Sequence, residues 1–261
     1  MRVIDSVVAR CRSFKIKHWR YFSEGRYLAS LRDIHKGRRC FIIGNGPSLE
    51  VPDLDRIAQN GDITFGFNRI YKIFSETQWR PSYYLSQDYK MLTSSCAELN
   101  SVLLPNKFVP IETKWYNGVN IVNAHYFHIK NLRIGEKYGF SDDISRYVVD
   151  SNTVAFTAMQ FAVYMGIKEI YLIGVDHHFQ KVMNEKGEVE VDPNAKNYFI
   201  PNYVTESNDV YRIPRLDLST LTYISAKEYA DSHDIKIYNA TRGGKLEVFP
   251  RVDFDSLFEQ I

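Results

Sequence analysis

Cys40-Phe41-Ile42-Ile43 runs directly into Gly44-Asn45-Gly46-Pro47-Ser48, and residues 49–59 then carry helical spacing. No other feature constrains the fold of this chain as much. A short, wholly apolar strand has both faces buried, which is how strands of a parallel sheet read. A strand that turns through glycines into a helix opens an α/β unit. Gly44 and Gly46 lack a Cβ, so the backbone there can bend tightly and approach a ligand. The start of the next helix offers unpaired N–H groups and a positive dipole end, both suited to phosphate. Pro47 fits near a helix start, and Ser48 can cap the helix or bond a phosphate oxygen. The residues match neither G-x-G-x-x-G nor G-x-x-x-x-G-K-[ST], so neither a dinucleotide fingerprint nor a Walker-type loop is indicated. The alternative is a tight structural turn with Ser48 as an N-cap.

The pattern then repeats. Asp62 to Phe67 reads as a second strand, ending at Asn68-Arg69, and Pro81 to Ser86 as a third, ending at Gln87-Asp88. Residues 101–130 read as short strands and loops rich in aromatics. A helix over 153–165 stops at Gly166. Glu169 to Ile173 is a strand leading into Gly174-Val175-Asp176-His177-His178. Residues 180–213 lack periodicity, and a loop of that length inside a domain reads as a lid. A helix over 216–232 precedes a last strand, Ile235 to Tyr238, which ends at Asn239-Ala240-Thr241-Arg242-Gly243-Gly244. Alternating strands and helices predict a Rossmann-like, doubly wound, mostly parallel α/β sheet. The predicted division is a basic helical segment over 1–36 and a nucleotide-binding domain over 37–261, with its lid at about 180–213.

Ligands of such sheets bind beyond the carboxyl ends of the strands. The polar clusters 44–48, 68–69, 86–88, 176–178 and 239–244 all fall there, which predicts a single cleft. Asn68 offers a donor and an acceptor for a sugar or carboxylate. Asp88 suits a hydroxyl or a metal, or caps a helix. Ser151-Asn152-Thr153 opens a long apolar helix, a second place for an anion. His177 and His178 are candidate general bases, since an imidazole titrates near neutrality, and Asp176 could orient a ring or bind a cation. Tyr198, Asn202, Tyr203, Tyr211 and Arg212 could close over phosphates from the lid. Arg242 could neutralise phosphate, with a solvated surface turn as its alternative.

Composition narrows the partners. The 261 residues carry a net charge of +2, which argues against a nucleic-acid binder. Yet residues 1–40 hold eleven Lys or Arg against three acids, so the basic surface is local. Within 2–22, Ile4, Val7, Val8, Cys11, Phe14, Trp19 and Phe22 fall on one side of a helix, and Arg2, Arg10, Lys17 and Arg20 on the other. That helix either packs on the core or on a second subunit, or lies on an anionic membrane surface. Cys11, Cys40 and Cys96 form no C-x-x-C pair, which suits a reducing compartment. No apolar run approaches the roughly 18 residues of a membrane span. A cytoplasmic location follows as the expectation, at the inner membrane face if the helix meets lipid.

Phe41 to Ser48, Phe67-Asn68, Glu169 to His177 and Ile237 to Leu246 together resemble a bacterial family called domain of unknown function 115, or 6-hydroxymethylpterin diphosphokinase-like. That family is similar to the sialyltransferases of glycosyltransferase family 42 and to flagellar motility accessory factors. The resemblance covers roughly residues 37–254. It implies a Rossmann-like fold that binds a CMP-activated nonulosonic acid, used to build bacterial surface glycan. Gly44, Asn45, Gly46, Pro47 and Ser48 would then approach the nucleotide, Asn68 the donor, and Ser151, Asn152 and Thr153 the base or carboxylate. Asn239, Thr241 and Arg242 would complete the donor site. In the sialyltransferases a lid His deprotonates the acceptor and lid-region Tyr residues steady the leaving phosphate, a role that falls here to Tyr198 or Arg242. Residues 196–208 contain no His, so the base falls to His177 or His178. The resemblance leaves two other readings open. One is a diphosphokinase using ATP, with Asp88 and Asp176 on Mg²⁺. The other is a nucleotide-binding protein without catalysis.

Overall fold

The computed structural model describes residues 2–132, 137–203 and 213–259. The strands are β1 Arg39–Ile43, β2 Ile63–Phe67, β3 Tyr83–Leu85, β4 Lys107–Pro110, β5 Ala124–Phe127, β6 Ile129–Lys130, β7 Val148–Val149, β8 Glu169–Ile173, β9 Lys181–Met183, β10 Val189–Val191 and β11 Lys236–Asn239. The helices are α1 Arg2–Lys17, α2 Ser23–Ser30, α3 Val51–Gln59, α4 Tyr89–Ser94, α5 Cys96–Ser101, α6 Ile111–Asn117, α7 Val154–Tyr164 and α8 Leu216–Ser232.

Seven strands form one sheet in the order β11-β8-β1-β2-β3-β4-β5. Every pairing in it is parallel. β1 lies centrally, and its side chains alternate between the two faces. Cys40 and Ile42 enter one core with α7, while Phe41 and Ile43 enter the other with α3. This two-sided burial explains the uninterrupted apolar run. The result is the doubly wound, Rossmann-like α/β fold.

The chain moves outward from β1 to β5 and then returns to place β8 on the other side of β1. The strand order therefore reverses between β1 and β8, and the loops after those two strands meet there, the Gly46 N–H donating to the Gly174 carbonyl. In open α/β sheets that switch point is where ligands bind.

Several boundaries differ from the sequence expectation. α3 begins at Val51, so Pro47 and Ser48 lie in a turn ahead of it and Ser48 caps nothing; Pro52 takes the early helical position instead. The segment 101–130 contains a helix, α6, which starts directly after the β4 residue Pro110. The region 180–213 is partly ordered: β9 and β10 form an antiparallel hairpin, and Pro201–Tyr203 make a 3₁₀ turn. Tyr211 and Arg212 lie outside the described residues, as does the Asn202 side chain. α1 ends at Lys17, and Trp19 turns inward to become fully buried.

Candidate active site

A cavity of about 980 Å³ runs along the carboxyl edge of the sheet. Gly44, Asn45 and Gly46 after β1, Asn68 after β2, Gln87 and Asp88 after β3, Glu112 after β4 and Asp176 to Phe179 after β8 all line it. Ser151 to Ala155 close it from the start of α7. The volume lies at the upper end of the roughly 300–1,000 Å³ usual for ligand pockets.

The glycine turn is built against β8. A Cβ on Gly44 would overlap the Gly174 carbonyl oxygen. On Gly46 it would overlap the Asp176 carboxylate. These glycines therefore let two loops touch at the switch point, while their other side faces the cavity. Ser48 Oγ donates to Asp176 Oδ2 at 2.7 Å, and Ser48 N–H reaches the same oxygen at 3.5 Å. The N–H groups of Gly44 and Gly46 donate to the Ile173 and Gly174 carbonyls, and that of Leu49 to Gly46. Most of the turn's donors are thus spent within the protein, and the anion that Ser48 holds is Asp176. Neither Pro47 nor Ser48 lines the cavity. Burial pushes the Asp176 carboxyl up, and the Ser48 hydrogen bonds pull the other way.

Asn45 stands differently. Its Nδ2 donates to the Phe67 carbonyl at 3.0 Å, which fixes the amide orientation. Its Oδ1 is buried without a hydrogen-bond partner. A buried acceptor left unmade costs about 1–3 kcal/mol, and Asn45 borders the cavity.

Asn68 adopts a left-handed backbone, φ 54°, which Asn tolerates better than most residues. Its Oδ1 accepts from Ser86 Oγ at 3.1 Å. Asp88 caps α4, accepting from the N–H groups of Lys90 and Met91. Gln87, placed by its sequence in the strand-end cluster without a role of its own, donates to Ser151 and accepts from Thr157, thereby holding the turn before α7. Thr153 is the N-cap of α7 but makes no side-chain cap bond. Its hydroxyl pairs with that of Tyr223 at 3.1 Å. Asn152 donates to the Tyr138 hydroxyl at 2.7 Å. The first N–H groups of α7 are therefore left without a side-chain cap where Val154 and Ala155 border the cavity, a positive end suited to an anion.

The two histidines differ. His177 has a left-handed backbone, φ 53°, and its Nε2 lies 2.9 Å from Thr220 Oγ1. Thr220 donates its own proton to the Leu216 carbonyl, so His177 Nε2 carries the hydrogen and Nδ1 the lone pair. Burial holds the His177 pKa below its ordinary value, so the ring is neutral at pH 7. His178 Nε2 lies 2.9 Å from Asp192 Oδ2 on the hairpin and 3.1 Å from Lys245 Nζ. A carboxylate fixing one ring nitrogen is the arrangement that orients a general base. Asp192, 14 residues from His178 and outside the cavity lining, is a partner that no sequence spacing indicated. Tyr198 stacks on Tyr203 at 3.9 Å, and both border the cavity. The Tyr203 hydroxyl accepts from the Arg69 N–H, and its carbonyl accepts from the Arg69 guanidinium. Tyr203 is thus fastened to the core.

Besides Pro47 and Ser48, three further expected donor-site residues stand outside the cavity. Asn239 Nδ2 donates to the Leu246 carbonyl and its Oδ1 accepts from Thr241 N–H. Thr241 Oγ1 accepts from Val175 N–H. Arg242 pairs with Asp53 and Asp255 and lies over Phe254. All three knit the last turn to the sheet; Arg242 meets carboxylates already, where a phosphate was expected.

Asp88 and Asp176, the expected magnesium ligands of a diphosphokinase, are engaged with α4 and Ser48. Among the described residues no three His, Cys, Asp or Glu side chains gather as a metal site.

No curated protein matches this chain. Among solved structures, a MAf glycosyltransferase from Magnetospirillum magneticum AMB-1 is similar at TM-score 0.49 and 15% identity, over 89% of this chain. The chain spans only 38% of that protein's length. A family model described as 6-hydroxymethylpterin diphosphokinase MptE-like matches residues 16–182. That match takes in β1 to β8 with the glycine turn and the Asp176-His177-His178 strand end, and the chain belongs to the MptE-like family.

Proposed function

We propose that this chain is a glycosyltransferase that takes a CMP-linked nonulosonic acid and passes the sugar to an acceptor hydroxyl in bacterial surface glycan synthesis. The observation that carries the reading is the polar cavity at the switch point. It combines an unsatisfied buried acceptor at Asn45, an uncapped helix start at α7 and an oriented histidine at His178. The CMP identity rests on the motif resemblance at Gly44 to Ser48 and Asn68.

In this reading the nucleotide lies against Gly44 to Gly46. The α7 start at Ser151 to Thr153 receives the phosphate or carboxylate. His178, held by Asp192, takes the proton of the acceptor hydroxyl. The acceptor oxygen bonds to the anomeric carbon as the bond from that carbon to the phosphate oxygen breaks. CMP departs with both electrons of that bond, steadied by Tyr198. No step requires a metal. Cytoplasmic placement follows from the use of an activated nucleotide donor.

The family's description favours a second reading, transfer of pyrophosphate from ATP to a hydroxymethyl pterin, which calls on Mg²⁺. The geometry gives it less support, because Asp88 and Asp176 are both engaged elsewhere.

The test is incubation with CMP-N-acetylneuraminic acid in EDTA. The expected outcome is CMP release that His178→Ala slows by at least about a hundredfold. AMP formation from ATP that needs Mg²⁺ and pterin, with no CMP release, would replace this reading by the second.

A further inference from the structure

Among the described residues, α1 is tied to the body near its C-terminal end. Arg12 donates to the Trp115 carbonyl at 2.7 Å and lies over the Tyr116 ring, and Lys15 pairs with Glu24. Tyr116 also borders the cavity, so this contact fastens α1 beside the α6 end of the site. From Ser6 to Cys11 every residue is exposed. Val7 is 53% exposed and Phe14 60%, and Cys11 between them is exposed too. The spacing 7, 11, 14 puts the three on one stripe.

Charge selects what covers that stripe. Arg10 and Lys17 are exposed and, four before and three after Phe14, flank one edge of the stripe rather than occupy the opposite face that the apolar–basic division suggested. Neither forms an ion pair among the described residues, nor does the exposed Arg20 just beyond. Arg12 and Lys15 secure the opposite edge to the body. An apolar stripe edged by unpaired cations suits an anionic lipid surface: apolar groups enter the acyl boundary and ammonium and guanidinium groups meet phosphate headgroups. A second copy of the same helix would set Arg10 and Lys17 against like charges. With 16 residues, and no described helix long and apolar enough to cross a membrane, α1 would lie in the interface plane.

We propose that α1 is a peripheral anchor that binds anionic lipid through Val7, Cys11, Phe14, Arg10 and Lys17. It then holds the α6 end of the cavity beside the bilayer. The binding itself does not depend on the reaction assigned to the cavity.

The experiment is flotation of the full chain with vesicles of phosphatidylcholine alone, and with vesicles containing 30% phosphatidylglycerol. Binding only to the anionic vesicles, weakened by salt, is the expected result. The pairs Val7→Asp with Phe14→Asp, and Arg10→Glu with Lys17→Glu, should each lower it at least about tenfold. All four side chains are exposed, so melting temperature should stay put and confirm a folded protein. Equal binding to both vesicle types, none to either, or none lost in the variants would overturn the proposal. So would a dimer in sedimentation velocity that the Val7→Asp, Phe14→Asp pair converts to monomer.

Discussion

Ser48 Oγ donates a 2.7 Å hydrogen bond to the carboxylate of Asp176, joining the loop after β1 to the loop after β8. The bond crosses the point where the strand order reverses. It closes the floor of the crevice and leaves Gly44, Asn45 and Gly46 as one wall.

Gly46→Ala should disrupt this junction, because its new Cβ overlaps the Asp176 carboxylate. The expected loss is about 1–3 kcal/mol of stability. Asp176→Ala alone should cost a similar amount by leaving Ser48 unpaired. The double variant should be less destabilised than the sum, as residues in contact couple. Urea unfolding of the three variants measures this.

Arg242→Ala separates stability from binding. Arg242 pairs with the buried Asp53 but does not border the cavity. Its own side chain is 35% exposed, so the expected cost is only about 1–2 kcal/mol. Nucleotide affinity by calorimetry should change less than twofold.

His178→Ala should reduce turnover by about 10²–10⁴, the range for a general base. Asp192→Asn keeps the shape but loses the charge that orients the ring. It should reduce kcat by a smaller factor with KM nearly constant, as steady-state kinetics would show.

The buried His177 predicts a pH dependence of stability. Its folded pKa is lowered, and an unfolded histidine protonates near pH 6.5. Below that point the unfolded chain binds more protons than the folded one, so stability falls as pH drops from about 7 toward 5. His35 and His125 are lowered by burial as well and act in the same direction. His177→Gln should make the decline shallower without abolishing it, measured as melting temperature against pH.

The sheet was legible because β1 and β8 are apolar on both faces, and such runs have few other uses. The cleft was legible because polar residues follow those strands. α4 and α6 were not, since each is under eight residues and too short for helical periodicity to register. The roles of Ser48 and Arg242 were misread for a different reason. Their hydrogen-bonding capacity is the same whether the partner is a phosphate or a carboxylate. The partners, Asp176 and Asp53, lie 128 and 189 residues away, beyond any local pattern. Asp192 escaped likewise, because only the hairpin fold brings it to His178.

The most direct test of the account is thermal unfolding in EDTA with CMP, UDP, GDP or ATP, repeated with Mg²⁺. CMP should stabilise the protein without metal, by about 2.7 kcal/mol at a hundredfold excess over Kd, and Asn45→Ala should remove most of that shift. Stabilisation by ATP with Mg²⁺ alone, with CMP inert, would contradict it.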